Sequence, residues 1–184
     1  STGSEIVAHG LIGGAPGAGK SNFLHVLITQ LALAYPPEEV ELYLIDFREG
    51  VEFQDYAHLP HARVLAVESE REFAFSILAR LEQEIERRGE LFKATQANSP
   101  EEYRRRTSAL LPRILLIVDE FQRLFEPDDN LARAAGGLLE NLTRIGRGFG
   151  IHVLLGSQTP STLALQSHRI YDQMLQRLAF RCTE

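Results

Sequence analysis

Short apolar runs recur along the chain, separated by stretches in which apolar residues return every three or four positions. The run RILLIVD at residues 113–119 is the most continuous, which predicts a strand covered on both faces of a sheet. The pattern predicts six strands, at residues 6–13, 39–47, 63–67, 113–119, 151–156 and 177–182. Because these strands alternate with helical stretches, we expect an α/β fold with a mostly parallel sheet.

The predicted helices lie at residues 20–34, 68–97, from 100 onward, and 130–145. Ser99, followed by a proline and two acidic residues, is typical of a helix N-terminus. A four-residue spacing aligns one apolar face of the second helix, and we expect this face to pack into the core: Phe73, Ile77, Leu81 and Ile85.

The composition fits one globular domain over residues 1–184. The chain is 44% hydrophobic and 24% charged, which excludes a disordered or collagen-like protein. Its only cysteine, Cys182, excludes an internal disulfide and favours a reducing compartment. We find no run of about 18 apolar residues and no leader, so we expect no membrane contact. Because the chain begins without Met, we expect a piece of a longer, cytoplasmic protein, which other segments could tether to a membrane.

The net charge is −6, with 19 basic and 25 acidic residues. A domain that grips a nucleic-acid backbone by itself is usually basic, so this balance argues mildly against such a clamp. Only two residues are lysines, Lys20 and Lys93.

Residues 14–21, GAPGAGKS, match the phosphate-binding pattern G-x-x-x-x-G-K-[ST] between a predicted strand and a predicted helix. Glycines let successive N–H groups face phosphate oxygens, and the helix N-terminus adds its positive dipole end. Lys20 is expected to contact the β and γ phosphates, and the Ser21 hydroxyl to bind Mg²⁺. The residues predicted to bind ATP are Gly14, Ala15, Pro16, Gly17, Ala18, Gly19, Lys20, Ser21 and Asn22.

Three further polar residues lie at the ends of predicted strands or directly after them. Asp119 ends the most apolar strand, where a Walker-B aspartate binds Mg²⁺ or its water, so Ser21 and Asp119 are the predicted metal ligands. Glu120 is predicted to orient, or take a proton from, the water that attacks the γ-phosphate. Gln158 follows the strand at 151–156. Because ligands of open α/β sheets bind at the carboxyl ends of strands, its amide is expected near that phosphate.

Other phosphate-loop classes fit poorly. A guanine-reading N-K-x-D loop needs a second lysine, and Lys93 lies in FKAT; no L-S-G-G-Q segment of a transporter cassette is present. The six histidines are scattered, and His25 and His152 are interpreted as packed or capped residues rather than metal ligands.

Six segments carry a resemblance to a known family: HGLIGGAPGAGKS, LYLIDFREGVEF, LPHARVLAV, EIERRGELF with SPEEYRR, LLIVDEF, and RGFGIHVLLGSQTPS. In this ordered set the chain resembles the FtsK/SpoIIIE motor ATPases and their relatives in type VII secretion, from His9 to the C-terminus. The resemblance implies a RecA-like P-loop NTPase with helices on both faces of the sheet. It also implies an ATP-driven homo-hexamer that moves a polymer through its pore, with nucleotide bound between subunits.

The resemblance carries the roles above onto Lys20, Ser21, Asp119, Glu120 and Gln158. It also implies an arginine finger from the neighbouring subunit, which stabilises charge on the transferred phosphoryl group. Arg147 joins the predicted catalytic set, and the choice among the candidates stays open: Arg147, Arg144, Arg87 and Arg88. One departure is that residues 157–160 read SQTP where the family reads TQRP.

Asp46, Arg48 and Glu49 follow a strand at the same expected edge of the sheet. They either position nucleotide or pore elements, or form salt bridges within a turn.

Three functions remain open. Double-stranded DNA is the favoured cargo of the implied motor, since a ring could place a few positive charges at its pore despite the acidic balance. The first alternative is a secretion motor whose cargo is protein. The second is a nucleotide-binding assembly module with little turnover.

Overall fold

The computed structural model describes residues 8–48, 52–66, 70–158 and 168–181. The strands are β1 (Gly10–Gly13), β2 (Val40–Asp46), β3 (Ala62–Ala66), β4 (Arg113–Asp119), β5 (Ile151–Ser157) and β6 (Gln176–Ala179). The helices are α1 (Lys20–Ala34), α2 (Arg71–Thr95), α3 (Pro100–Thr107), α4 (Asn130–Ile145) and α5 (His168–Gln173). Short 3₁₀ turns lie at Gln54–Tyr56, Phe121–Phe125 and Gly146–Phe149.

The six strands form one sheet in the order β3-β2-β4-β5-β1-β6, and every described pair is parallel. The predicted α/β fold with a mostly parallel sheet is therefore confirmed. In a parallel sheet all carboxyl ends lie at one edge, so the segments that follow β1, β2, β4 and β5 meet there.

Helices cover both faces of this sheet. Neighbouring residues of β4 point to opposite sides: Leu116 packs in a core with α2 and α4, whereas Ile117 packs in a core with Leu24 and Ile28 of α1. This double coverage explains why β2 and β4 read as nearly continuous apolar runs rather than as alternating strands.

Local sequence sets the helix ends. Helix α1 ends at an extended Tyr35, the conformation expected of a residue that precedes a proline. The predicted N-cap is confirmed, because the Ser99 hydroxyl accepts a hydrogen bond from the Glu102 N–H at 3.1 Å. Asp129 caps α4 in the same way, through the Ala132 N–H at 2.8 Å.

One core prediction is wrong. The Phe73 side chain is 48% exposed, because the buried face of the first turn of α2 is formed by Ala74. The remaining members of that stripe, Ile77, Leu81 and Ile85, are buried as expected. The apolar face is therefore rotated by one position at its start.

Several predicted boundaries also move. Strand β1 begins at Gly10, since Ala8 and His9 precede the ladder, and β6 spans Gln176–Ala179 rather than reaching residue 182. Parts of the predicted elements lie outside the described residues: residues 6–7, 67–69 and 182, as does Glu49. Helix α5 was not predicted. Among the helices described, none has the length and apolar character needed to cross a bilayer.

Candidate nucleotide-binding site

The phosphate loop connects β1 to α1 at the carboxyl edge of the sheet. Gly17 and Gly19 have φ angles of +75° and +101°, a region that favours glycine because it has no Cβ. The loop is anchored to both neighbouring strands. The Gly14 N–H donates to Ser157 O, at the end of β5, over 3.2 Å, and the Ala15 N–H donates to Arg181 O, just beyond β6, over 3.0 Å. The sequence therefore shapes a loop whose backbone is held in place on both sides.

A cavity of about 150 Å³ opens on this loop. Its lining contains most of the residues predicted to bind ATP and one arginine from another segment: Ala15, Pro16, Gly17, Gly19, Lys20, Ser21, Asn22 and Arg48. The cavity is next to the N-terminus of α1, which is the end of a helix that attracts anions. The arrangement suits a phosphate group.

Lys20 joins the phosphate loop to the end of β4. Its Nζ donates to Asp119 Oδ1 and, at 3.0 Å, to Glu120 Oε1, and its side chain is only 4% exposed. These acids are about a hundred positions from Lys20 in sequence, yet they form one buried cluster. The structure thus brings together the two predicted motifs.

One carboxylate oxygen of Asp119 is fully bonded and the other has no partner among the described residues. Its Oδ1 accepts from Lys20 and from the Glu120 N–H at 3.0 Å. Its Oδ2 is buried and has no hydrogen-bond partner among the described residues. A buried carboxylate oxygen without a partner costs free energy, and a hard cation is the natural ligand for it.

Ser21, at the start of α1, is partly buried and lines the same cavity. The described residues contain no group of three or more His, Cys, Asp or Glu side chains that could hold a metal by themselves. Mg²⁺ takes one or two protein oxygens and fills its other positions with phosphate and water, and the unpartnered Asp119 Oδ2 and the Ser21 hydroxyl are oxygens of the kind it binds. The residues present therefore fit the predicted ion.

Glu120 is held by its backbone and by its side chain. Its φ of +53° and ψ of +41° place a non-glycine residue in the left-handed region. Its Oε1 accepts from Lys20 and Arg48, and its Oε2 accepts from Gln122 Nε2 at 2.6 Å. Burial by itself raises the pKa of Glu120, but the hydrogen bonds from Gln122 and Lys20, with the charges of Lys20 and Arg48, hold it below its usual value.

The end of β2 supplies the adjacent groups. Asp46 is paired in register with Asp119 and accepts hydrogen bonds from the N–H groups of Arg48 at 2.8 Å and Glu52 at 3.2 Å. Burial is the main cause that raises the pKa of Asp46; the two N–H bonds oppose it and the nearby Asp119 charge adds to it. Within this turn Asp46 accepts only backbone N–H groups in the contacts above, and the salt bridge of Arg48 reaches out of the turn to Glu120, 72 positions away. The expected role of the segment in positioning nucleotide stays a prediction.

Gly156 is required by the position of Asp119. A Cβ placed on Gly156 would lie closer to Asp119 Oδ1 than the 3.0 Å that real Cβ atoms keep, and 3.3 Å from Asp119 Cγ. No motif in the sequence marks this glycine. Its position inside an otherwise apolar strand next to the predicted Walker-B strand was the available signal.

The two remaining residues of the predicted catalytic set, Gln158 and Arg147, lie at opposite edges of the sheet. Gln158 follows β5 at the carboxyl edge and is partly buried. Arg147 is exposed in the 3₁₀ turn that precedes β5, at the amino edge, away from the phosphate loop of the same chain. Arg88 is ruled out as an arginine finger: it is 1% exposed and donates to Glu84, Phe149 O and Pro112 O.

The fold and the cluster around Lys20 define a P-loop ATPase of the RecA-like class. The FtsK/SpoIIIE family model matches residues 2–162, and the chain belongs to that family.

Relatives are found among secretion proteins. The chain is 32% identical over 159 residues to the ESX secretion system protein YukB of Bacillus subtilis, an alignment that covers 83% of this chain and 10% of that protein. It is 32% identical over 190 residues to the ESX-1 secretion system protein EccCa1 of Mycobacterium tuberculosis, with coverage of 95% and 25%. The chain thus spans a quarter or less of these relatives.

Solved structures share the fold. The conjugation coupling protein TcpA of pCW3, determined with ATPγS, superposes with a TM-score of 0.81 at 24% identity, covering 97% of this chain and 50% of that one. ATPases 2 and 3 of Thermomonospora curvata EccC, in complex with a signal sequence peptide, superpose with a TM-score of 0.76 at 29% identity, covering 95% and 31%.

Proposed function

We propose that this chain is the Mg²⁺-dependent ATP-hydrolysing module of a larger translocation motor, and that the cluster around Lys20 is its catalytic site. The observation that carries the proposal is the contact of the phosphate-loop lysine with both acids at the end of β4. In this cluster each group has a distinct task.

The phosphate loop binds ATP through its backbone N–H groups, and Lys20 moves from the two acids to the β and γ phosphates. Ser21 and Asp119 Oδ2 are the groups that would hold Mg²⁺, and the ion would neutralise charge on those phosphates. Glu120 orients the attacking water and takes up its proton, and Gln158 contacts the γ-phosphate from the end of β5. Before ATP enters, the contacts of Glu120 with Gln122, Lys20 and Arg48 hold its pKa below the usual value, so the carboxyl is ionised.

The test of the catalytic assignment is a pair of variants. Lys20→Ala is expected to weaken ATP binding by at least about tenfold, because it removes the charge that faces the phosphates. Glu120→Gln is expected to bind ATP but to hydrolyse it about a hundredfold more slowly. Binding of ATP by Lys20→Ala at the wild-type affinity would refute the site.

Protein is the cargo we propose for the larger motor. The relatives reported above are named as secretion proteins, and a net charge of −6 is unfavourable for a surface that tracks phosphates. Duplex DNA, the cargo favoured from the sequence, stays a prediction and is the second candidate because of the resemblance to DNA-moving motors. We expect a short secretion-signal peptide to stimulate ATP hydrolysis and linear duplex DNA to have no effect. Stimulation by DNA and not by the peptide would instead support DNA as the cargo.

We also propose self-association, with Arg147 acting on the site of a neighbouring copy in a ring. Its exposed position at the opposite edge from the phosphate loop allows this. Mixing Arg147→Ala subunits with Glu120→Gln subunits tests it. Activity recovered in the mixture is expected, and a mixture as inactive as its components would leave Arg144 or Arg87 as the finger.

A further inference from the structure

Arg48 holds the proposed catalytic acid from a third segment of the chain. Its Nε and Nη2 lie 3.0 and 2.9 Å from Glu120 Oε1. The base of its side chain is fixed, since its own N–H donates to Asp46 Oδ1. The Arg48 side chain is nevertheless 31% exposed, whereas Glu120 is buried. Arg48 is therefore the solvent-accessible partner of this ion pair, whereas Glu120 is the buried one.

The same arginine lines the phosphate-loop cavity. A guanidinium binds phosphate oxygens in the same bidentate manner as it binds a carboxylate, so the two anions are alternative partners for it. A phosphate that enters the cavity competes with Glu120 for Arg48.

The contact changes what Glu120 can do. Lys20 and Arg48 both donate to Oε1 of this carboxylate, and Gln122 donates to Oε2. An oxygen whose lone pairs already accept these donors has no place left to accept a hydrogen bond from an attacking water. Withdrawal of donors from Oε1 would free it.

We propose that Arg48 is a positioning residue that holds Glu120 away from the attacking water until a γ-phosphate takes its guanidinium. This inference rests on the proposed ATPase function of the site. In the empty site Arg48 and Lys20 close on Glu120. ATP draws both away, and after the γ-phosphate leaves, Arg48 returns to Glu120.

The test is a binding cycle on the 184-residue protein with ATPγS and ADP, in which binding is measured by calorimetry and catalysis plays no part. The variants are Arg48→Ala, Glu120→Gln and both together. Arg48→Ala is expected to weaken ATPγS by about tenfold and ADP by less than about twofold, because ADP lacks the phosphate that Arg48 takes. Arg48→Lys is expected to be intermediate, since a lysine contacts phosphate as a point charge.

The double variant isolates the ion pair. Glu120→Gln is expected to strengthen ATPγS binding about three- to tenfold more when residue 48 is Arg than when it is Ala. Release of Lys20 is common to both backgrounds and cancels. Arg123→Ala is the matched control, because this arginine lies at the same edge but donates to Phe47 O, and it should change neither affinity.

Three results would overturn the inference. Equal losses for ATPγS and ADP in Arg48→Ala, with a lowered melting temperature, would show a merely structural salt bridge. An effect of Glu120→Gln that is the same in both backgrounds would show that Arg48 and Glu120 are uncoupled. If the wild type bound neither nucleotide, the proposed ATPase function itself would fail. In that case Lys20→Ala would show no further loss of affinity.

Discussion

The contact between Gly156 and Asp119 offers the sharpest test of the site geometry, through the variant Gly156→Ala. The added Cβ would lie inside 3.0 Å of Asp119 Oδ1 and 3.3 Å from its Cγ. Relieving this overlap requires Asp119 or β5 to move by about half an ångström or more. Since Asp119 Oδ1 accepts from Lys20 and from the Glu120 N–H, such a shift disturbs the whole cluster.

The size of the effect follows from the crowding and from the role of Asp119. Overpacking at a rigid site costs about 1–3 kcal/mol, which in a domain of this size lowers the melting temperature by about 3–10 °C. Misplacement of a catalytic group by up to about 1 Å costs about a hundredfold in turnover. We therefore expect kcat to fall by about that factor and the Mg²⁺ concentration for half-maximal activity to rise.

The assay is steady-state ATP hydrolysis across a Mg²⁺ titration, with thermal melts of the same samples. Gly137→Ala is the matched control: this glycine lies in α4, nothing lies within 4 Å of its added Cβ, and the change should stabilise the helix by up to about 1 kcal/mol. If Gly156→Ala kept the wild-type Mg²⁺ dependence, turnover and melting temperature, the placement of Asp119 against β5 would be wrong.

Three further predictions concern other parts of the molecule. Arg88→Met should lower the free energy of unfolding, measured in urea, by about 3 kcal/mol, because it leaves the carbonyls of Phe149 and Pro112 unpaired. ATP affinity should not change, since these carbonyls lie at the opposite edge of the sheet from the site. An unchanged stability would contradict the burial of Arg88. Burial is the main cause that lowers the pKa of His9 from 6.5 to about 4, so its contribution to stability should be present above pH 6.5 and lost as the pH falls to about 4. His9→Asn, which can still accept from the Val153 N–H, should flatten this part of the stability–pH curve, and a curve identical to wild type would exclude His9 as its source. Gly19→Ala should weaken ATP binding about tenfold, because a side chain at φ +101° strains the loop by about 1–2 kcal/mol; equal affinity by calorimetry would show that the loop relaxes at no cost.

The sequence predicted the features that depend on local pattern. The continuous apolar run of β4 placed a central strand with Asp119 at its end, and the spacing of Gly14, Gly19 and Lys20 predicted the phosphate loop. Because all carboxyl ends of a parallel sheet share one edge, that pattern also predicted that the loop would meet Asp119 and Glu120.

The features it missed depend on contacts between distant segments. A long charged side chain such as Arg88 reads as surface, but it is buried because carbonyls ahead of β4 and β5 happen to face it. The choice of Arg48 as a partner of Glu120, 72 positions away, and the crowding of Gly156 against Asp119 are set by strand order. Phe73 is exposed because of where α2 begins over the sheet. The periodicity of the apolar residues leaves open, by one position, which residue of the first turn faces the core.

The most direct measurement of the central claim is ATP binding and ATP hydrolysis recorded on the same samples of wild type and Glu120→Gln, at rising protein concentration. Both proteins are expected to bind Mg·ATP, and wild-type turnover per subunit is expected to rise with concentration as the neighbouring copy completes the site. Glu120→Gln is expected to turn over about a hundredfold more slowly at every concentration. Equal turnover of the two proteins, or no ATP binding by either, would contradict the assignment of this cluster as the catalytic site.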